Sequence, residues 1–472
     1  GNGFVIDGDS TGEDYGVYTN GSNNLTIKNF GNIKDFIRGV YLIESNDSVI
    51  ENNTMIYTYN LVSTYAIYLE DSNHTTVYDN IIDLNTGGTN GVPLNIRVKV
   101  SSGKIRGHNN ITGNNLTANS ASSFAYGIYL DNAGTSDYNT VQSNTLDLTS
   151  HNTEYGIYLY NSYGDSMDFN TIQSNDLRIN ATDSFAYGIK LENDGPSMDF
   201  NIVGSNTVDL TASSTALGIS LSNFDTSNSN LFQSNDLRIS STSLRAYGIT
   251  LEDFGTSQSH TLLNNNVTYY GNEISKAIND GSGTGDTNYL IYNNSFGEIR
   301  WTSSDFLTNL TVFENMTFGE HIIIGNNTVY LNSNYYVNDT SINSSANVTL
   351  QLSGWSFSNP EIKKDGVACS DCYNFTSLSA STVVFNVSSW SNYSVGERPN
   401  TAPNVTSVVL NTTDISLNDT NQNLTCYATG IDSEGDNLYY SGMWLKNGSE
   451  HVMVENVWNE TKENPARNSG RI

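Results

Sequence analysis

The strongest constraint on this chain is a phrase that returns about every thirty residues: SNTLDLT (143–149), SNDLRIN (174–180), SNTVDLT (205–211) and SNDLRIS (234–240). A second phrase, YGIYL and its variants, returns with it. Its second residue gives the anchors Gly16, Gly39, Ala66, Gly91, Gly127, Gly156, Gly188, Gly218, Gly248 and Ala277, spaced 29 residues apart on average. A period of that length calls for a solenoid or repeat array. The segments alternate apolar and polar residues at period two and lack helical spacing, which excludes leucine-rich, ankyrin and TPR repeats. In YGIYL the alternation puts Ile128 and Leu130 inside, with Gly127 and Tyr129 outside. Each repeat is therefore expected to be short strands joined by polar turns.

Three residues after an apolar position stands an asparagine, in nine successive repeats: Asn53, Asn80, Asn114, Asn144, Asn175, Asn206, Asn235, Asn265 and Asn294. Stacked coils lie about 4.8 Å apart, so these side chains are expected to hydrogen-bond up and down as an asparagine ladder. Asp147, Arg178, Asp209 and Arg238 fall in one outward column whose charge alternates. Like charges on neighbouring strands repel; alternation makes a charge ladder that also opposes slippage by one coil.

GNGFVIDGDSTG (1–12), NNLTIKNF (23–30) and the YGIYL coils resemble the right-handed parallel β-helix proteins of the pectate-lyase-like superfold, especially NosD-type and archaeal cell-surface members. The resemblance covers residues 1–297 and implies an all-β, right-handed parallel β-helix of about ten coils. It implies little about activity, because that superfold hosts lyases, hydrolases, epimerases, adhesins and inert stalks.

Beyond Phe296 the period is lost, and residues 298–397 read as short strands forming a β-sandwich-like cap over the end of the solenoid. Residues 398–404 are a proline-containing linker, and 405–472 resemble part of an immunoglobulin-like domain, with Cys426 and Trp444 in successive strands. The start inside a strand pattern and the unpatterned end are read as those of a fragment.

Hydrophobic residues make up 37% of the 472, too few for a thick conventional core. Net charge is −29, which argues against nucleic acid and anionic membranes as partners. That field gathers cations, calcium among them; no motif requires a cofactor. No apolar stretch is long enough to span a bilayer. Twenty-five N-x-S/T sequons beside only three cysteines point to a secreted or surface-displayed glycoprotein. A single sequon, at Asn180, lies within 118–265. Either those coils pack against neighbouring subunits or they copy one ancestral sequence.

Cys369 and Cys372 are expected to form a small-loop disulfide; free thiols and a metal or redox role stay open, although further zinc ligands are missing. The six histidines share no spacing. The paired-carboxylate motifs of galacturonidases are absent, and RGHNN (106–110) is a shadow of one. Acids recur after the YGIYL strand at Glu70, Asp131, Glu192 and Glu252, interrupted by Tyr160 and Ser222. This column reads as a solvated edge, a calcium-binding edge or the carboxylates of a lyase. Tyr18, Tyr41, Tyr68, Tyr129 and Tyr158 form an outward row, read either as a track for a linear glycan or as a ladder that stabilises the sheet. The leading expectation is a rigid stalk or adhesin-like body that contacts polysaccharide, a cell-surface glycan or neighbouring subunits. A polysaccharide lyase, hydrolase or epimerase is the alternative; a NosD-type metal-accessory role lacks clustered Cys, His or Met.

Overall fold

The computed structural model describes residues 3–9, 14–58, 63–86, 91–121, 124–253, 259–271, 275–281, 288–301, 319, 321–331, 343–352, 354–412, 416, 424–433, 435, 437–446, 449–459 and 469–470. All their regular structure is β. Three sheets wind around one another in a parallel β-solenoid of about nine turns. A representative turn runs through Ala125–Asn132 in the long-stranded sheet I, Thr140–Gln142 in sheet II and Thr145–Ser150 in sheet III, before Glu154–Asn161 re-enters sheet I. Sheet I holds ten strands, Tyr15–Asn20 to Lys276–Asp280, and sheet III holds eight, Thr54–Thr58 to Asn266–Tyr270.

The interior of this turn is filled by Ile128, Leu130, Val141, Leu146 and Leu148, none more than 1% exposed. So few apolar residues fill a coil of about thirty that 37% hydrophobic content is sufficient. The alternation in YGIYL breaks at its glycine. A Cβ on Gly127 would lie 2.5 Å from the Gly156 carbonyl oxygen and closer still to Leu146 Cδ2, so this position faces inward beside Ile128. The expectation that Gly127 lies outside is therefore corrected: two successive inward residues shift the outward set, putting Tyr126 and Tyr129 on one face.

Register corrects a second anchor. Ile67, Ile96 and Ile128 are paired, so Asn95, not Gly91, follows Ala66 and precedes Gly127. Arg97 thereby takes the place between Tyr68 and Tyr129. Asn95 is fully buried where other coils carry glycine or alanine, and neither of its amide atoms has a hydrogen-bond partner among the described residues.

Glu154 is another exception inside. On the neighbouring coils its column holds Ala125, Ala186, Ala216 and Ala246. Glu154 is 0% exposed and neither carboxylate oxygen completes a hydrogen bond. Burial pushes its pKa up to about 8, partly offset by nearby Ser150 and the Asn180 backbone.

The turn from sheet II to sheet III consists of one residue with positive φ followed by a buried asparagine. Asn52, Asp79, Ser143, Ser174, Ser205, Ser234 and Asn264 occupy the first place, with φ of 52–55° or 56°. Serine in four consecutive coils accounts for part of the sequon gap: Asn52-Asn53-Thr54 is a sequon because asparagine takes that place, and serine erases the pattern. Each following asparagine then bonds the next coil. For Asn144, both the backbone N–H and Nδ2 donate to Asn175 Oδ1 at 3.0 Å, and Nδ2 also donates to the Ile111 carbonyl at 2.9 Å. The same pattern joins Asn53, Asn80, Asn114, Asn144, Asn175, Asn206, Asn235 and Asn265. Asn294 stands apart: it is exposed and donates to the Ile324 carbonyl. After Tyr289–Asn294 the chain folds back antiparallel onto Gly297–Trp301, and no further parallel coil receives the ladder among the described residues.

Sheet II continues through this hairpin into Ala346–Gln351, Thr382–Val387 and Tyr373–Asn374, all antiparallel. Trp301, Val348 and Phe385 are buried there. The strands expected across 302–318 lie outside the described residues. Contacts group residues 1–355 with 362–395 in one unit, and residues 356–361 with 396–472 in another. In the latter, Asn404–Thr412 pairs antiparallel with Leu424–Ile431, and Tyr439–Lys446 with Ser449–Asn459.

Candidate functional site

The outer face of sheet I carries the densest set of aromatic and charged groups. The inward pair at the glycine creates two outward columns three residues apart. One contains Tyr15, Arg38, Tyr65, Leu94, Tyr126, Tyr155 and Tyr187; the other contains Tyr18, Tyr41, Tyr68, Arg97, Tyr129, Tyr158 and Lys190. Sequence reasoning found five tyrosines of the second column and missed the first, because strict period two turns Tyr126 inward.

These rings lie on one another. Tyr41 stacks on Tyr68 at 4.8 Å, Tyr129 on Tyr158 at 5.0 Å and Tyr126 on Tyr155 at 4.9 Å, with interplanar angles of 6–11°. The cations are interleaved with them. The Arg38 guanidinium is 4.5 Å from the Tyr41 ring centre; Arg97 is 5.2 Å from Tyr68 and 5.4 Å from Tyr129; Lys190 Nζ is 5.0 Å from Tyr187. Such contacts contribute about 0.5–2 kcal/mol each. Consequently Tyr41, Tyr68 and Tyr158 are buried and Tyr129 is half-buried, while Tyr18 at the first coil is 50% exposed. At every one of these but Tyr18, the ring faces that a sugar would need lie against neighbouring rings and guanidinium groups.

Beside the tyrosines runs the acidic column. Register places Glu70, Lys99, Asp131, Tyr160, Glu192, Ser222 and Glu252 in line, Lys99 having been missed through the displaced anchor. Lys99 Nζ is 2.8 Å from Glu70, Arg97 pairs with Asp131, and Lys190 Nζ is 2.6 Å from Glu192. Tyr41 donates to Glu70 and Tyr158 to Glu192. Burial raises the Glu70 pKa, but the bonds from Lys99 and Tyr41 outweigh it and hold the carboxyl below its ordinary range. The bond to Glu70 raises the Lys99 pKa. A catalytic acid needs a raised carboxyl and a catalytic base a lowered amine; this pairing moves both the opposite way.

On the outer face of sheet III, Asp147, Arg178, Asp209 and Arg238 are directly opposed on four successive strands, and all are exposed. Arg238, however, pairs within its own strand, at 2.9 Å from Asp236. The aligned charges can act on register while contributing little as contacts.

The turn from sheet I to sheet II holds features that sequence reasoning passed over. There too a residue with positive φ precedes a buried polar residue, Thr75 after His74 and an asparagine in each of the five coils that follow. His74, His108, Tyr138, Phe169 and Phe200 take the first place, with φ of 53–58°, and their rings stack at 4.9–5.1 Å. Asn109, Asn139, Asn170, Asn201 and Asn230 follow as a second ladder, each backbone N–H donating to the next side chain and Asn230 to His260 Nδ1. The recurrence of MDFN at 167 and 198 was the available signal. A third ladder joins Asn132, Asn161, Asn193 and Asn223 at 2.8–2.9 Å. An open groove of about 270 Å³ lies against the aromatic stack, lined by Asn73, Ile105, Arg106, His108, Asp137 and Tyr138 among others. Asp137 is half-buried and its pKa is raised by that burial.

Cys369 and Cys372 are joined by a disulfide, with Cα atoms 5.6 Å apart, and Cys426 is a free thiol. Asp371 lies beside the bridged sulfurs, but sulfurs in a disulfide are not thiolate ligands. Among the described residues no helix is long and apolar enough to cross a membrane. No family model matches the chain, and neither a curated protein nor a solved structure does so.

Proposed function

We propose that the chain is the rigid body of a secreted or surface-displayed glycoprotein, a β-helical stalk that meets glycans or neighbouring subunits by surface contact. The observation that carries this reading is the interlocking of outward groups on sheet I: Arg97 lies between Tyr68 and Tyr129 and pairs with Asp131. Groups used in this way stiffen a surface. About nine turns at roughly 4.8 Å per coil give a rod some 43 Å long. The fully bonded amide stacks hold neighbouring coils in register. The sequon density supports an extracytoplasmic location, and the negative field suits cations such as calcium, with none required as a cofactor.

A polysaccharide-cleaving role is the second reading, favoured by one observation: Glu70, Arg97, Lys99 and Asp131 converge on one outer face. Substrate would have to displace these ion pairs before either sign of charge could act. The two readings separate when purified chain is incubated with neutral and acidic polysaccharides, with and without calcium. New ultraviolet-absorbing double bonds or reducing ends would overturn the stalk reading. Co-sedimentation without turnover, reduced by Tyr18→Ala, is the result expected for a contact surface on sheet I.

A further inference from the structure

We infer that Asn73 is an N-glycosylation site whose first sugar seats in the groove beside it. This rests on the surface-glycoprotein reading and adds to it a modified residue and a receptor for the modification. The groove arises from a break in a column of side chains. Asn23 Oδ1 accepts the Asn46 N–H at 2.7 Å, and Asn46 Oδ1 accepts the Asn73 N–H at 3.0 Å. Further along, Asp137 Oδ1 accepts the Asp168 N–H at 2.7 Å, and Asp168 Oδ1 the Asp199 N–H at 2.6 Å. Between the two runs stands Gly107, held in the column by His74 N–H to its carbonyl and by His108 N–H to the Asp137 carbonyl, each 3.1 Å. A Cβ at Gly107 would overlap the Asp137 carbonyl oxygen, so the column is interrupted there and a notch opens.

Asn73 is the last side chain before the notch. Its backbone is engaged on both sides, but its side-chain amide makes no hydrogen bond among the described residues. Asn73-His74-Thr75 is a sequon. The groove that Asn73 helps to line is also walled by Ile105, which is 72% exposed, and by the stacked rings of His108 and Tyr138. Pyranose C–H groups fit such apolar walls, and Arg106 and Asp137 offer a donor and an acceptor of opposite charge, which suits a neutral, hydroxylated ligand. The covalent step occurs on the extended chain before folding, so burial of Thr75 is no obstacle. Asn73 Nδ2 bonds to the anomeric carbon of a lipid-phosphate-activated sugar, the carbon–oxygen bond to phosphate breaks with its electron pair leaving on phosphate, and Nδ2 loses one proton to the transferase.

The test uses the full chain secreted from a eukaryotic host, with unglycosylated chain from bacterial cytosol as control. Peptide mass spectrometry reads occupancy, and native peptide-N-glycosidase treatment reads the release rate at each site. The expected result is occupancy at Asn73 with release at least about tenfold slower than at the exposed Asn52. Ile105→Ser and Tyr138→Ser, both at exposed positions, are expected to bring release at Asn73 to the Asn52 rate. An unmodified Asn73 beside other occupied sequons would overturn this inference alone. Absence of modification at every sequon would overturn the glycoprotein reading with it. Equal release rates unaffected by Ile105→Ser would refute the seating. Ile105-dependent binding of free N-acetylglucosamine to the bacterial chain, with Asn73 unmodified in the secreted one, would assign the groove to an external sugar instead.

Discussion

Glu154 makes the stability of the solenoid depend on pH, in a direction opposite to that of an ion-paired carboxylate. Its folded-state pKa is raised from 4.5 to about 8 by burial. Below pH 4.5 both folded and unfolded chains hold the proton, and the side chain causes no charge penalty. Between 4.5 and about 8 the unfolded chain releases the proton while the folded chain keeps it, so stability falls by about 1.4 kcal/mol per pH unit. Above the folded pKa the loss levels off at roughly 5 kcal/mol. For one cooperative unit of nearly 400 residues, with an unfolding entropy of about 2.1 cal/mol/K per residue, this corresponds to a fall in Tm of about 6 °C. Glu154→Gln keeps the size and removes the titration. Differential scanning fluorimetry of both proteins from pH 5 to pH 9 is expected to show the wild type losing about 5 °C relative to the variant, most of that total. Taking the difference between proteins cancels other titrating groups, including Asp137 and Asp199, whose burial also raises their pKa values. Parallel Tm curves would refute the reasoning and place water or a partner at the Glu154 carboxyl.

Asn175→Ala removes two acceptor contacts used by Asn144 and two donor contacts, to the Val141 carbonyl and Asn206 Oδ1. A loss of roughly 3–6 kcal/mol is expected, with faster hydrogen exchange at the Asn144 amide as the local readout. Gly127→Ala introduces a methyl group against Leu146 and the Gly156 carbonyl and is expected to destabilise by about 1–3 kcal/mol, measured as a lower midpoint in urea. Arg97→Ala removes the cation between Tyr68 and Tyr129 and the partner of Asp131; a cost of about 1–3 kcal/mol is expected. Arg97→Lys is expected to recover only part of it, since an ammonium cannot present a planar face to both rings.

The repeat period, the solenoid class and the ladder from Asn53 to Asn265 were legible because each depends on a spacing carried by the chain itself. Parallel stacking brings the same residue type above itself, so identity at a fixed interval becomes contact. Asn294 kept the spacing without the contact, since a ladder also requires a following coil and the chain there reverses direction. Lys99 escaped notice because a glycine was sought as the anchor and Gly91 was taken in place of Asn95. An asparagine facing inward is not a choice that local chemistry suggests. Tyr126 and the other missed tyrosines lie behind a local shift in alternation, and that shift arises from the approach of Leu146 on the opposite sheet.

By itself the sequence determined which residues stack, because strand spacing and side-chain alternation are local properties that repetition multiplies. Only the tertiary structure decided what surrounds each column. Whether a tyrosine row presents its faces to a ligand or closes upon interleaved arginines depends on two columns lying side by side. Whether a carboxylate is a catalyst or half of an ion pair depends on which cation the next coil places opposite it. The groove beside Asn73 has the same origin: a glycine more than thirty residues away leaves it open.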